Sequence, residues 1–231
     1  MNGPLTSGRR IICICHDIEG PVDSPVSEEG CQDNLVRMLG AERAAGVPAT
    51  YNVLGTVWRE KAPLIAAGES HALGFHSYNH NIGDLRQLPL CRRIDPNVKG
   101  YRPPRSQITP EISDQNLRRY NFHWLLSSAR SLGFADVRLE NGIVKIPVHL
   151  DDYPIYRGKL DWNTWERQLL HLAETGDFVS FGLHDCYAHL WIDRYASLLE
   201  RLASMGEFHT CDRIADRLGI LNEDAVRDRE I

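Results

Sequence analysis

The sequence lacks any apolar run long enough to cross a bilayer and any apolar segment typical of a secretory signal. The longest uninterrupted apolar run near the amino terminus covers residues 11–15, whereas a membrane helix needs about 20 residues. The first ten residues hold two late arginines but no apolar core of the kind that a signal peptide requires. We therefore expect a cytoplasmic protein without a membrane span.

An excess of basic charge and a CxxC motif are also lacking. Lysine and arginine total 26 against 31 acidic residues, so the formal net charge is −5. This balance offers no electrostatic footprint for nucleic acid. The six cysteines are scattered, and Cys13 and Cys15 alternate on one face of a predicted strand, which is typical of small buried hydrophobic residues. We expect reduced thiols.

Low-complexity tracts, repeats and flexible linkers are absent, and a short apolar run followed by a helical pattern recurs along the chain. At 231 residues the chain can bury one sizeable core. The pattern predicts strands at 11–16, 47–54, 72–76, 122–127, 143–148, 178–183 and 208–211. It predicts helices at 31–45, which Gly46 ends, and at 57–67, 162–174 and 190–203.

This alternation predicts an α/β fold with a mainly parallel sheet. Seven or eight strands in one compact chain favour a barrel over an open sheet, although periodicity alone does not choose between them. In either architecture the chemistry gathers where the strands end. Acidic, histidine or arginine side chains follow five predicted strands, within residues 16–19, 76–80, 100–105, 148–153 and 183–185.

The pair His76 and His80 has the spacing of metal ligands, since residues four apart on a helical turn project to one side. Alone this spacing is weak, because two unrelated histidines at a helix start fit it equally well. Asp17 and Glu19 at another strand end strengthen it. Two imidazoles and one carboxylate form a catalytic zinc set that leaves a coordination position open.

Asp17 and Glu19 are two residues apart, so a regular strand would point both to one face. One carboxylate can then bind the metal while the other accepts a proton. Arg102 can hold the free carboxylate ionised by a bidentate contact, or it is a surface residue of a Pro-Pro loop. His184 can protonate a leaving group, or it is a strand-end histidine bonded to Asp185.

These motifs, in this order, resemble those of the polysaccharide deacetylase family, the NodB-homology domain of carbohydrate esterase family 4. Residues 15–21 resemble its first motif, 76–80 its His-Ser/Thr-x-x-His motif, 102–106 its Arg-x-Pro motif and 183–184 its Leu-x-His motif. The similarity covers about residues 11–218. It implies one NodB-like domain over residues 1–231, built as an irregular (β/α) barrel of about seven parallel strands.

The resemblance also implies the roles of the site residues. Asp17 would be the general base, and Glu19, His76 and His80 would bind a divalent metal. Zinc is the first choice, with Co²⁺, Ni²⁺, Mn²⁺ and Fe²⁺ as other options. His184 would be the general acid.

Two departures from the family pattern concern the metal site and the substrate. Glu19 has one methylene more than the usual aspartate. Arg105 replaces an aromatic residue; its backbone N–H can still serve an oxyanion hole, and its guanidinium indicates a substrate with a carboxylate or phosphate, unless it points to solvent.

The remaining pocket residues lie near the third and fourth motifs. Tyr101 is counted among the substrate-binding residues. Asp151 and Asp152 compete with Asp161 for the family's fourth motif. We place Asp151 and Asp152 in the pocket and interpret Asp161 as a helix N-cap.

The expected function is metal-dependent removal of an N-acyl group, most simply acetyl, from an amino sugar in a small molecule or glycan. Two alternatives stay open. One is an amidase or deformylase that acts on a non-sugar C–N bond. The other is a catalytically silent NodB-like module that binds a glycan or a partner protein, although Asp17 and His184 are both present.

Overall fold

The computed structural model describes residues 9–22, 24–68 and 70–227. Within these residues ten strands form one sheet. The strands are β1 (Ile11–Ile18), β2 (Thr50–Val53), β3 (Ala72–Phe75), β4 (Gly100–Tyr101), β5 (Trp124–Ser128), β6 (Arg138–Glu140), β7 (Ile143–Val148), β8 (Leu150–Asp151), β9 (Phe178–His184) and β10 (Glu207–Phe208).

Nine α-helices accompany the strands in the part of the chain that the structure describes. They are α1 (Glu28–Ala45), α2 (Trp58–Ala66), α3 (Gln87–Ile94), α4 (Asp114–Arg119), α5 (Ala129–Leu132), α6 (Tyr153–Tyr156), α7 (Trp162–Thr175), α8 (Ile192–Ala203) and α9 (Cys211–Arg227). None of the helices in these described ranges is both long and apolar enough to span a membrane.

Local sequence signals explain where α1 begins and ends and where α7 begins. Ser27 accepts a hydrogen bond from the Gly30 N–H at the start of α1, and Gly46 ends this helix in the left-handed conformation at φ 65°. Asp161 accepts a hydrogen bond from the Thr164 N–H at the start of α7. Asp161 is therefore a helix N-cap, as the sequence predicts.

The sheet runs in the order β6-β7-β5-β4-β3-β2-β1-β9-β8, with β10 added beside β1. Every strand pair is parallel except β6 with β7. The sheet curls until β7 meets β9, where the His149 N–H donates to the Ser180 carbonyl at 3.0 Å. The predicted parallel, barrel-like α/β fold is confirmed.

The β1 strand is buried on both faces, and its side chains alternate between two apolar clusters. Ile12 and Ile14 pack on one face with residues of α1, α7 and α8. Ile11, Cys13 and Cys15 pack on the other face with side chains of β5, β7 and α9. Asp17 continues this second row to the carboxyl end of the strand, which is where the site lies.

Glycine is required where the ring of Trp124 crosses two neighbouring strands. A Cβ atom on Gly100 of β4 would lie 1.7 Å from a ring carbon of Trp124, and one on Gly74 of β3 would lie 2.6 Å from the same ring. Each strand therefore lacks a side chain at this point so that the indole can lie against the backbone. The same feature explains why β4 shows no apolar run in the sequence.

Candidate active site

The carboxyl ends of the strands surround one cavity of about 590 Å³. Most residues predicted for the site line it: Asp17, Glu19, His80, Arg102, Arg105, Asp151 and His184. The predicted reactive side chains thus lie together at the carboxyl ends of the strands, as expected for a parallel sheet.

Glu19, His76 and His80 form one cluster at this edge of the sheet. Glu19 Oε1 lies 2.7 Å from His76 Nε2 and 3.2 Å from His80 Nε2. Burial alone would raise the pKa of Glu19, but the two imidazoles lower it well below its usual value. The ligand atoms of the three residues lie within 4.8 Å of one another.

The donor set of this cluster fits a divalent metal. His76 is 1% exposed, yet Nδ1 makes no hydrogen bond, and Nε2 lies 2.7 Å from Glu19 Oε1 without the angle of a hydrogen bond. A buried polar atom without a partner is costly unless another group satisfies it. Two imidazoles and one carboxylate match the ligands that zinc accepts in catalytic sites. Glu19, His76 and His80 can therefore hold a metal ion.

The histidine pair converges through a loop and not through a helix, so the helical premise behind its spacing is wrong. Residues 76–80 are irregular, with Ser77 at φ 64° and His80 at φ 63°. The Tyr78 N–H donates to Gln87 Oε1 at 2.7 Å, and Gln87 Nε2 donates to Asn79 Oδ1 at 2.7 Å. The buried Gln87 of α3, which sequence reasoning missed, thus fixes the loop.

Asp17 lies beside the metal-ligand cluster and is held by two side chains. Arg102 Nε donates to Asp17 Oδ2 at 2.5 Å, and Asn52 Nδ2 donates to Oδ1 at 3.2 Å. Burial alone would raise the pKa of Asp17, but the charges of Arg102, His76 and His184 lower it on balance. Asp17 is therefore an ionised, oriented carboxylate, but Arg102 contacts it through Nε while Nη1 makes no hydrogen bond, so the expected bidentate contact is not formed.

His184 pairs with Asp152 and not with Asp185. Its Nδ1 lies 2.5 Å from Asp152 Oδ1, and its Nε2 lies 3.5 Å from Asp17 Oδ2. Burial favours neutral imidazole, but the charges of Asp152, Glu19 and Asp17 outweigh it and raise the pKa of His184 to about 10. A protonated His184 therefore faces the cavity through Nε2.

The prediction that Asp152 binds substrate is wrong, because its side chain is fully buried behind His184. Its Oδ2 also accepts hydrogen bonds from the His184 N–H at 3.0 Å and from Trp191 Nε1 at 2.9 Å. Asp152 therefore positions the histidine. Of the two adjacent carboxylates, Asp151 alone lines the cavity.

Asp185 has a different task that the sequence did not reveal. Its Oδ1 accepts a hydrogen bond from the Glu19 N–H at 3.0 Å, and its Oδ2 accepts one from the Gly20 N–H at 3.2 Å. Burial raises the pKa of Asp185 to about 7. The carboxyl group thus anchors the backbone that carries Glu19. Asp185 directly follows His184, which is the only sequence signal for this role.

Tyr101 does not reach the cavity, so its prediction as a substrate-binding residue is wrong. The ring is fully buried and packs edge-on against Phe122 at 5.5 Å. In the parallel sheet the side chain of β4 next to Arg102 turns to the opposite face. Arg105 is exposed and lines the cavity, with its backbone in the left-handed region at φ 52°.

Three tyrosines form one wall of the cavity that sequence reasoning missed. Tyr156 stacks on Tyr187 at 4.2 Å with an interplanar angle of 10°, and Tyr187 lies 4.9 Å from the ring of His184. Tyr153 continues the wall outward and is 45% exposed. The spacing of three residues between Tyr153 and Tyr156 is the signal that could have found the pair on one helical turn.

Solved structures share this architecture. A protein from Mycobacterium smegmatis that carries the name polysaccharide deacetylase matches with a TM-score of 0.74 over 94% of this chain and 92% of that chain, at 15% identity. The chain has the NodB-like fold of carbohydrate esterase family 4. The peptidoglycan deacetylase PdaC from Bacillus subtilis matches this NodB-like fold with a TM-score of 0.61 over 96% and 98% of the two chains, at 15% identity.

The NodB-like fold alone does not establish activity. A pseudoenzyme of the same esterase family from Bacillus anthracis matches with a TM-score of 0.62 over 92% of this chain and 67% of that chain, at 11% identity. No family model and no curated protein matches the sequence. The side chains in the cavity must therefore carry the functional argument.

Proposed function

We propose that this protein is a metal-dependent N-deacylase that removes an acyl group, most simply acetyl, from an amino sugar. One observation carries the proposal. A metal-ligand cluster, an ionised carboxylate and a protonated imidazole face the same cavity, and each is held by a buried partner. Metal-dependent hydrolysis of an amide can use a metal, a general base and a general acid together.

Glu19, His76 and His80 would hold the metal, with zinc as the first choice for this donor set. When bound, the ion supplies Lewis acidity, which polarises an amide carbonyl and makes a water molecule more acidic. A carbonyl held at this cluster would lie beside Asp17 and His184. Arg105 lines the same cavity, and the family resemblance assigns the oxyanion hole to its backbone N–H.

Asp17 acts as the general base. Arg102 donates to Oδ2 at 2.5 Å and Asn52 donates more weakly to Oδ1 at 3.2 Å, so Oδ1 keeps more of its capacity to accept a proton from the attacking water. The lowered pKa of Asp17 keeps the carboxylate ionised at neutral pH. The water oxygen then bonds to the carbonyl carbon while the proton moves to Asp17.

His184 acts as the general acid. Asp152 holds Nδ1, which leaves Nε2 as the nitrogen that donates a proton into the cavity. The pKa of about 10 keeps the ring protonated before the reaction. As the C–N bond breaks, this proton goes to the departing amine, so that the products are a free amine and a carboxylic acid.

The wall of the cavity supports a carbohydrate substrate. Tyr153, Tyr156 and Tyr187 present flat faces next to His184. Aromatic faces of this kind offer large, rigid contact area with a polar end. An amino sugar can therefore lie against the tyrosines with its acyl group directed at Glu19 and Asp17. Arg105 and Arg157 line the same cavity and favour a substrate that also carries an anionic group.

The test is product release from a panel of amides. N-acetylated and N-formylated amino sugars, free and in oligosaccharides, are compared with non-sugar amides, and acetate, formate and ammonia are measured. We expect acetate from the amino sugars, at a rate that is about 10²–10⁴ lower in Asp17→Asn. Release mainly from non-sugar amides would favour the amidase or deformylase function. Binding of glycans without any release from the whole panel would favour the silent module and contradict the proposal.

A further inference from the structure

Three cysteine thiols, two from β1 and one from the distant start of α9, meet inside the barrel below the active site. Cys13 and Cys15 lie on the inner face of β1, and Cys211 is the first residue of α9. Cys13 Sγ lies 3.7 Å from both Cys15 Sγ and Cys211 Sγ. All three residues are fully buried. We call this set the thiol cluster.

The spacing of the sulfur atoms suits a shared ion. The three sulfurs lie within 4.8 Å of one another. Sulfurs bound at about 2.3 Å to one tetrahedral ion are separated by about 3.8 Å. A small shift of the side chains would therefore bring all three to bonding distance. The cluster is built from a strand and a helix that pack together, so the backbone already holds the ligands in place.

The surroundings of the thiol cluster favour a thiolate at one of its three members, Cys211. Cys211 stands at the positive end of α9, where a thiolate is stabilised. Burial alone would raise the pKa of Cys211, but contacts with the Cys13 and Cys15 thiols and the charge of Arg102 lower it well below its usual value. Contacts with the Cys15 and Cys211 thiols raise the pKa of Cys13, and burial raises the pKa of Cys15 although the charge of Arg102 opposes it, so an ion must displace these two protons when it binds. A buried positive charge thus faces the cluster.

Other buried cysteines of the chain lack this arrangement. Cys91 of α3 is equally buried, but it packs among apolar side chains of the opposite cluster. Burial raises the pKa of Cys91, as it also does for Cys15, so the two cysteines differ in their neighbours and not in the direction of this shift. The need for a small apolar residue therefore explains Cys91 fully, whereas it does not explain why three thiols touch.

We propose that Cys13, Cys15 and Cys211 form a second metal site, which binds a soft d¹⁰ ion such as Zn²⁺ or Cu(I) through three thiolates. Sulfur ligands select these ions over the harder ones that oxygen ligands prefer. The thiols release their protons to solvent as the ion binds, with no change in oxidation state. The site differs from the Glu19, His76 and His80 cluster in its ligands and lies within the barrel core. It does not depend on the proposed function.

The experiment uses Cd²⁺ as the probe, because a thiolate-to-cadmium charge-transfer band in the ultraviolet reports sulfur ligands alone. The full chain is produced in a cadmium-supplemented culture, so that the ion is present while the closed core forms. It is purified under a non-thiol reductant. Cadmium content, the charge-transfer band and X-ray absorption at the cadmium edge are measured for the wild type, Cys211→Ser and Cys13→Ala. Cys91→Ser is the matched control.

We expect one sulfur-bound cadmium per chain with three sulfur ligands in the wild type and in Cys91→Ser. Cys211→Ser and Cys13→Ala should lose the band. His80→Ala should keep the band, although it weakens the other site. A wild-type protein without sulfur ligands at cadmium would overturn the proposal. So would a band that persists at full strength in folded Cys211→Ser, with folding checked by circular dichroism.

Discussion

Each reactive side chain in the cavity is fixed by a buried partner. Arg102 fixes Asp17, and Asp152 fixes His184. Asp185 fixes the backbone of Glu19 through two N–H groups. In the two charged pairs, Arg102–Asp17 and Asp152–His184, removing one side chain leaves the charge of the other buried without compensation, which costs about 3–5 kcal/mol. These partners therefore set the protonation and direction of the groups that do the chemistry.

Asp17→Asn tests the base. Asparagine keeps the shape of the side chain and can still accept a hydrogen bond from Arg102, but it cannot take a proton. We predict that kcat falls by about 10²–10⁴ while the metal content stays unchanged. Steady-state kinetics and metal analysis of the same preparation measure both. Turnover near the wild-type rate would remove Asp17 from the mechanism.

Asp152→Asn tests the acid through the pH dependence of activity. The charge of Asp152 is the main favourable cause of the raised His184 pKa of about 10, against the cost of burial. The substitution leaves that cost and removes the charge, so the pKa of His184 falls. Protonated His184 is then lost at lower pH, and we predict that the alkaline limb of kcat/KM moves to lower pH.

Asp161→Asn is the control for this experiment. Asp161 is an exposed helix cap whose side chain bonds the Thr164 N–H and not His184. Asparagine also caps helices well, so little stability should be lost. Its alkaline limb should match the wild type. An alkaline limb that stays in place in Asp152→Asn would show that Asp152 does not control His184.

At the scale of elements, β4 depends on close contact between the Gly100 backbone and Trp124. A Cβ on Gly100 would lie 1.7 Å from the ring, so the indole or the strand must move. We predict that Gly100→Ala lowers the free energy of unfolding by about 1–3 kcal/mol. Arg102 follows β4 directly, so the same change should also reduce kcat. Urea unfolding and kinetics measure the two effects.

Gly40→Ala gives the opposite sign and serves as the control. Gly40 is an exposed residue of α1, and a Cβ there would meet nothing within 4 Å. Alanine lowers the entropy of the unfolded chain and favours helix, so we expect a gain of about 0.4–1 kcal/mol. A Gly100→Ala protein as stable as the wild type would contradict the close packing of Trp124.

The elements that the sequence predicts well are those with long apolar runs or clear caps. The long strands β1, β7 and β9 and the helices α1, α7 and α8 lie within a few residues of their predicted bounds. The two-residue strands β4 and β8 were not predicted, because they form by pairing with neighbouring strands and their own composition gives no strand signal. The loop conformation of residues 76–80 was not predicted, because non-glycine residues in the left-handed region leave no periodic pattern in the sequence.

At the scale of the whole molecule, contacts between distant residues were the hardest to predict. We predicted that side chains after different strands would meet at one edge of the sheet. Asp17, Arg102 and His184 do line one cavity, because a parallel sheet brings the carboxyl ends of its strands together. The position at a strand end does not show which carboxylate meets which base. Asp152 rather than Asp185 faces His184, because alternate side chains point to opposite faces and the register decides. Cys211 reaches Cys13 only in the folded barrel.

A pseudoenzyme has a similar NodB-like fold, so activity depends on the side chains of the cavity and not on the fold. The most direct measurement is therefore acetate release from an N-acetylated amino-sugar oligomer. It compares the wild-type protein before chelation, after chelation and after a divalent metal is added back, with His80→Ala beside it. We predict release that chelation abolishes, that metal restores in the wild type and that His80→Ala lacks. Metal-loaded wild type that releases no acetate, or release that chelation leaves unchanged, would contradict the proposed function.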